Sequence, residues 1–504
     1  MKRLLIFLLV ALVAFTKAED FVDLKQIPIT WDLERIKLFH LPPPDTSVKV
    51  IYAPKAYYDS LPEHIIYKTY PVFVRENEKQ GYLDSLRNLE PEIVFDPRKL
   101  KTKEDWIKAG EIVFNWPVSY RPETGHNSTI DSAYINATKA RITPDGLYPY
   151  NRYVIAEKGK VLWGSLSCAS CHTTVTKSGQ MIAGGQGTGS GDMGFAHTIE
   201  TRKIPLAQLQ GIMQVLSYTP WAPKDLPTSP ATSDEYLKSL KATPPGVITR
   251  QGLAYLYPLT IPSLIGIKDI KYLDHTGLMR NEGPGDLMRY AAFNQGLDML
   301  TSYNGFIPGH TGASHSFPAI SQWKHPFGYA ARKYSDAQLY ALTQYLYSLK
   351  EPVNPYDVPI SQLEHGRMVF KQAGCATCHA PPLYTNNKLT PASGFIPPKS
   401  HFGIYDIFNV SVKTDSVSTL YSRRGTGYYK VPSLRGVWHR SAFFHNGNLT
   451  TLEEVLDPKR LDPQFVPSGY KPPHVKSMAV TGHTFGLKLK REDKDALIAF
   501  LKSL

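Results

Sequence analysis

Cysteine is scarce in this 504-residue chain: there are only four, Cys168, Cys171, Cys375 and Cys378. All four fall within two Cys-x-x-Cys-His pentapeptides, so none remains for a structural disulfide. No stretch beyond the first 18 residues approaches 18 unbroken apolar residues, which excludes a membrane-spanning helix in the rest of the chain. Charged residues make up only 20%, yet no segment is polar enough to read as long disorder. Nucleic-acid recognition motifs are missing and the basic residues are scattered, so the net charge of +13 does not indicate DNA or RNA. It suits an ordinary solvated surface, or one that steers an acidic redox partner or an anionic surface.

What is present sets the scale. A hydrophobic content of 42% in a chain of this length supports two or three domains with cores of their own. Forty prolines and 36 glycines imply long connections between short elements. Lys2 and Arg3 precede an apolar run at residues 4–15, and Thr16, Lys17 and Ala18 supply a small-residue cleavage site. Residues 1–18 therefore read as a signal peptide, with a short anchor as the alternative, and the mature protein is expected to be periplasmic or secreted.

Comparing the chain with itself reveals a duplication. Residues 159–172 align without gaps on residues 366–379, matching Gly159 with Gly366, Trp163 with Phe370 and the two pentapeptides with each other. Downstream, Pro262-Ser263-Leu264 matches Pro432-Ser433-Leu434, and a histidine follows 13 positions after each proline, His275 and His445. Each copy closes with a helical pattern, opened by Ser335-Asp336 in the first and by Glu492 and Asp493 in the second. The expected architecture is mainly α: a loop-rich, irregular N-terminal extension (19–150) packed over the haem domains, without assigned chemistry and with residues 103–114 as its best helix candidate, then two tandem cytochrome c-like domains (151–355 and 356–504). The copies differ in one place. Pro262 lies 90 positions after His172, whereas Pro432 lies 53 after His379. The first copy thus holds a segment the second lacks, including the glycine-rich run at 184–191, expected as a flexible or haem-edge loop because it lacks a phosphate-loop ending.

The chemistry resides in the pentapeptides. Two cysteine thiols three positions apart add to the two vinyl groups of a haem, and the adjacent histidine ligates the iron. A redox dithiol or half a zinc site leaves the adjacent histidine unexplained in both copies. Two covalently bound haem c groups are expected, held by Cys168, Cys171, Cys375 and Cys378, with His172 and His379 as iron ligands. A second strong ligand makes an electron carrier, and an open position makes a site for peroxide or dioxygen. His483, in the loop before the last helix, is the candidate second ligand of the second haem, with Met478 as the alternative, while His445 suits a hydrogen bond to a haem propionate. His275 is the candidate acid–base group on the distal side of the first haem, with a purely structural role as the alternative. His310, in a Pro-Gly-His-Thr context like that of His483, reads as a loop histidine, and Met193 and His197 of the extra segment are further residues within reach of the first iron.

These motifs resemble the bacterial di-haem cytochrome c peroxidases and their relatives. The likeness rests on the tandem pentapeptides, on Lys430-Val431-Pro432-Ser433-Leu434-Arg435-Gly436, and on the Phe443–Glu454 stretch with its Phe-His-Asn-Gly and Thr-Leu-Glu-Glu phrases. It covers residues 360–504 well and 150–355 more weakly. The long N-terminal extension and the Gly482-His483-Thr484-Phe485-Gly486 phrase look most similar to the rubber-oxygenase branch, where one haem is saturated by two histidines and the other binds dioxygen. The chain departs from the peroxidase pattern in having no methionine shortly after Asn446-Gly447, which favours a His/His second haem. It departs from the oxygenase pattern at His275, where those relatives tend to have an aromatic. The resemblance implies an oxidoreductase that activates peroxide or dioxygen at the first haem, relays electrons through the second and exchanges them with a small redox protein. A non-catalytic electron-transfer cytochrome with both haems six-coordinate is the competing function.

Overall fold

Thr102 opens a 13-residue helix, α1 (Lys103–Asn115), with a reciprocal capping box: its side chain accepts from the Asp105 amide, and Asp105 reaches back to the Thr102 amide. In the computed structural model, which describes residues 22–122, 130–309, 317 and 332–504, α1 lies against a later helix closing the first copy, α3 (Asp336–Ser348). Ser335 and Gln338 form the same kind of box at the start of α3. In the second copy α4 (Ile360–Gln372) packs in the same way on α5 (Arg491–Lys502). Residues 1–18 and His310 lie outside the described residues.

Both crossings depend on a glycine. A Cβ on Gly110 would stand 1.9 Å from the Ala341 carbonyl oxygen and 2.7 Å from Tyr345 Cβ. On Gly366 it would stand 2.2 Å from the Ala496 carbonyl oxygen and 2.6 Å from Phe500 Cβ. The helices touch backbone to backbone, and Val113 and Phe114 in one copy match Val369 and Phe370 in the other as buried neighbours of that contact. The counterpart of Gly366 is therefore Gly110, not Gly159. The gapless alignment of residues 159–172 is corrected here: Gly159 is in a turn and Trp163 is on a strand.

What misled the alignment is an insertion. Cys168 lies 54 positions after Phe114, but Cys375 lies five after Phe370. The extra residues help build a four-stranded antiparallel sheet from β1 (Thr69–Phe73), β2 (Ser119–Pro122), β3 (Leu147–Glu157) and β4 (Lys160–Ser165), in the spatial order β1-β3-β4-β2. Tyr153 pairs with Trp163 and Tyr120 with Gly164 in its registers. Helix accounts for about 35% and strand for about 14% of the structure, so the expectation of a mainly α fold gives way to mixed content. The N-terminal segment shares the first copy's core: Trp31, Ile36, Trp106 and Trp116 are buried with Leu339, Leu342 and Leu346 of α3. A separate core around Val369, Phe370, Leu497 and Phe500 serves the second copy. The segment peculiar to the first copy also folds, into helices Gly191–Arg202, Leu206–Ser217 and Ser233–Lys241 around Ile199, Leu209 and Met213. Among the described residues no helix is long and apolar enough to cross a membrane.

Candidate haem sites

Gly374, at φ +78°, turns the chain out of α4 into the short 3₁₀ turn Cys375–Thr377, and His379 follows. The Nδ1 edge of His379 is fixed by two carbonyl oxygens, Pro432 at 3.1 Å and Tyr384 at 3.2 Å. That orientation leaves Nε2 free to bind a metal. His379 opens on a cavity of about 290 Å³ that also receives His483, Phe444, Lys430 and Arg440. The two imidazoles have ring centroids 6.4 Å apart. An imidazole nitrogen lies roughly 2 Å from a bound transition metal, so two rings sharing one ion have centroids about 6 Å apart. Burial pushes both histidines down to about 4, which keeps them neutral and their lone pairs available near pH 7.

His483 is held there at a cost in backbone strain. Its φ is +47°, a region unfavourable to residues other than glycine. The fully buried Arg460 holds the loop by donating to the carbonyl oxygens of Val480, Gly482 and His483 at 2.5, 3.0 and 2.7 Å. The His483 amide in turn donates to Val412 at 2.7 Å.

The cavity walls also suit a group bearing carboxylates. Lys430 and Arg440 face it, enclosed on their other sides, and burial lowers them to about 8 and about 10. Arg440 Nε and His445 Nε2 are buried without hydrogen-bond partners. Two cations, with two buried nitrogens that lack a hydrogen-bond partner, fit the propionates of a haem.

The first pentapeptide forms its own short helix, α2 (Cys168–Cys171), capped by Ser167. His172 repeats the geometry of His379, with Nδ1 3.0 Å from the carbonyl oxygen of Pro262, the duplicate of Pro432. Burial pushes His172 down to about 3. Gly187, in the glycine-rich run, packs so closely that a Cβ there would stand 1.7 Å from the Cys171 carbonyl oxygen. The run is thus a brace on α2 rather than a flexible loop. Gln295 Nε2 approaches Cys168 Sγ at 3.7 Å. Burial raises the Cys168 and Cys375 thiols to about 11, the opposite of the low thiol pKa of a reactive dithiol or a zinc thiolate. Among the described residues no three His, Cys, Asp or Glu converge as a metal cluster. Each site brings two thiols and a neutral imidazole together, a donor set that suits a haem.

Among the described residues no imidazole faces His172 as His483 faces His379. His275 does not take that place. It lines the cavity of His379 and His483, and its Nε2 is 2.7 Å from the carbonyl oxygen of Thr260. Thr260 is two residues before Pro262, whose carbonyl oxygen contacts His172 Nδ1. Met478 lines a smaller neighbouring cavity with His445 and Asp415, not the one containing His379. His445 reaches both cavities, stacked on Tyr429 at 4.4 Å. Met193 is buried in the helix Gly191–Arg202, where His197 packs edge-on against Tyr134.

Two features escaped the sequence reading. One is Arg460, which lies in no recognisable motif. The other is the pair Arg423 and Arg424, which the second copy inserts into the first. Arg423 grips Asp298 at 3.1 and 2.8 Å. Arg424 reaches Asp274 at 2.6 Å and Asn294 at 2.9 Å. Adjacent arginines in a loop read as surface charge, and only the tertiary fold reveals their carboxylate partners.

No family model and no curated protein matches the chain. Among solved structures it is similar to the hydrazine synthase of Kuenenia stuttgartiensis (14% identity over 60% of this chain and 88% of that one, TM-score 0.28). It is also similar to a MauG-like protein associated with microbial copper homeostasis (20% identity, 34% and 56%, TM-score 0.22). A third is a variant of the diheme peroxidase BthA from Burkholderia thailandensis (14% identity, 88% and 93%, TM-score 0.24). At scores this low the likeness carries no argument about function.

Proposed function

We propose that the chain is an exported c-type cytochrome with two covalently attached haems and a division of labour between them. The second haem is closed by His379 and His483 and relays electrons. The first, attached at Cys168 and Cys171 and ligated by His172, is the site where peroxide or dioxygen is activated. The observation that carries this reading is the asymmetry of the two sites: His483 stands 6.4 Å from His379, and His172 has no such partner among the described residues. When bound, haem iron supplies one-electron chemistry and, where a coordination position is open, a place for peroxide or dioxygen.

The residues of the chain do the rest. Pro262 and Pro432 fix the ligand imidazoles in orientation, Arg460 holds the His483 loop, and Lys430 and Arg440 supply positive charge where the second cavity is walled. We place the start of the first haem unit at Lys103, since α1 supplies the helix that crosses α3, rather than at residue 151. A small redox protein is the expected electron partner. Electron paramagnetic resonance of the ferric protein tests the assignment: one high-spin and one low-spin haem in equal amounts are expected. Two low-spin haems would overturn the enzymatic reading in favour of a plain electron carrier.

A further inference from the structure

The segments that fix the two proximal histidines are bonded to each other's copies. Thr260 and Lys430 occupy the same place in the duplication, two residues before Pro262 and Pro432. The Thr260 amide donates to the carbonyl oxygen of His445 at 2.7 Å, and the Lys430 amide donates to the carbonyl oxygen of His275 at 2.9 Å. The exchange is reciprocal, but the side chains differ. The His445 ring lies on Tyr429 and its buried Nε2 has no hydrogen-bond partner, with Asp415 Oδ1 3.7 Å away. The His275 ring turns back to its own copy, where Nε2 meets the Thr260 carbonyl oxygen at 2.7 Å and Oγ1 at 3.1 Å.

We infer that His275 is a positioning residue that couples the two haem sites by joining their proximal ligands through one continuous bridge. From the second site the bridge runs from His379 Nδ1 to the Pro432 carbonyl, through Val431, and from the Lys430 amide to the His275 carbonyl. It then passes through the His275 imidazole to the Thr260 carbonyl, through Ile261, and from the Pro262 carbonyl to His172 Nδ1. Every hydrogen bond in it is between 2.7 and 3.1 Å. The hydrogen bond at a ligand's second nitrogen sets its orientation and basicity, and here the segments that make both such bonds are tied to one residue, through its ring on one side and its main-chain carbonyl on the other. His275 donates from Nε2 at one end and accepts at its carbonyl at the other. An electron passing from the iron held by His379 to the iron held by His172 makes and breaks no bond, and both contacts of His275 persist.

The inference rests on the two-haem reading and is tested in the haem-loaded full chain. A glutamine places its amide nitrogen where His Nε2 stood, whereas an asparagine presents it nearer the backbone, out of reach of Thr260. One-electron reduction by pulse radiolysis then reads the rate at which the haems re-equilibrate. His275→Gln is expected to stay near the wild-type rate, and His275→Asn to be slower by at least about tenfold, with two haems bound in each. A wild-type rate in H275N would overturn the bridge. If H275N does not hold two haems, H275Q decides: loss of about tenfold or more there, with both haems in place, also overturns it. Carbon monoxide uptake by the same samples reports separately on the open first site, so that reading can fail while the bridge stands.

Discussion

His379 and His483, 104 positions apart in sequence, face one another with ring centroids 6.4 Å apart and little else between them but the cavity they line. Neither imidazole is charged, and His483 is held in a left-handed backbone conformation by carbonyl contacts to one buried arginine. Strain of that kind persists where the surrounding structure over-determines it.

His483→Ala is expected to keep both covalent haems and to turn the second one high-spin, able to bind added imidazole. Arg460→Lys replaces a rigid fork by a point charge and is expected to give a mixture of high- and low-spin second haem. Absorption and paramagnetic resonance spectra of the two variants check both outcomes.

The two glycine crossings predict matched stability losses. Gly366→Ala puts a methyl 2.2 Å from the Ala496 carbonyl oxygen, and Gly110→Ala puts one 1.9 Å from that of Ala341. Each is expected to cost about 1–3 kcal/mol or more, as overpacking does, read by thermal unfolding. Gly159→Ala, in an open turn with no atom near its would-be Cβ, is expected to cost less despite its positive φ of +83°.

Asp192 is buried, and burial raises it to about 6, although the amide of Thr249 donates to it. A carboxyl raised above its unfolded value binds its proton more tightly in the folded state. Stability should therefore fall as the pH rises from about 4 to about 6 and stay reduced above that. Asp192→Asn is expected to gain up to about 3 kcal/mol at pH 8 and nothing at pH 4, measured by urea unfolding.

Asp274 behaves oppositely. Burial acts to raise it, but the Arg424 guanidinium at 2.6 Å, His275 and the Tyr290 hydroxyl together outweigh burial and hold it at about 2. Its contribution is present above the unfolded carboxylate value and is lost as the pH falls toward 2. Arg424→Met leaves that carboxylate buried without its cation, held only by the Tyr290 hydroxyl and the His275 amide, at an expected cost of about 3–5 kcal/mol at pH 7, shrinking as the solution is acidified and Asp274 takes up a proton.

The sequence made some of this legible and hid the rest for physical reasons. The pentapeptides, the duplicated Pro-Ser-Leu segments and the candidate ligand His483 are local signals with a chemical meaning, and the structure places His483 opposite His379. The helix at residues 103–114 was legible, but not its place as the first copy's opening helix, because the sheet residues stand between Gly110 and Cys168 and a gapless alignment drew in β4 instead. His275 was legible as a duplicate of His445 but not in its role. Its contacts, Thr260 and the Lys430 amide, come from both copies, and Nε2 faces a backbone carbonyl that no side-chain pattern records.

Carbon monoxide uptake by the fully reduced protein tests the division of labour most directly. The expected result is one molecule bound per pair of haems in the native chain, at the site of His172, rising to two in His483→Ala. No uptake by the native chain, or uptake by both of its haems, would contradict it.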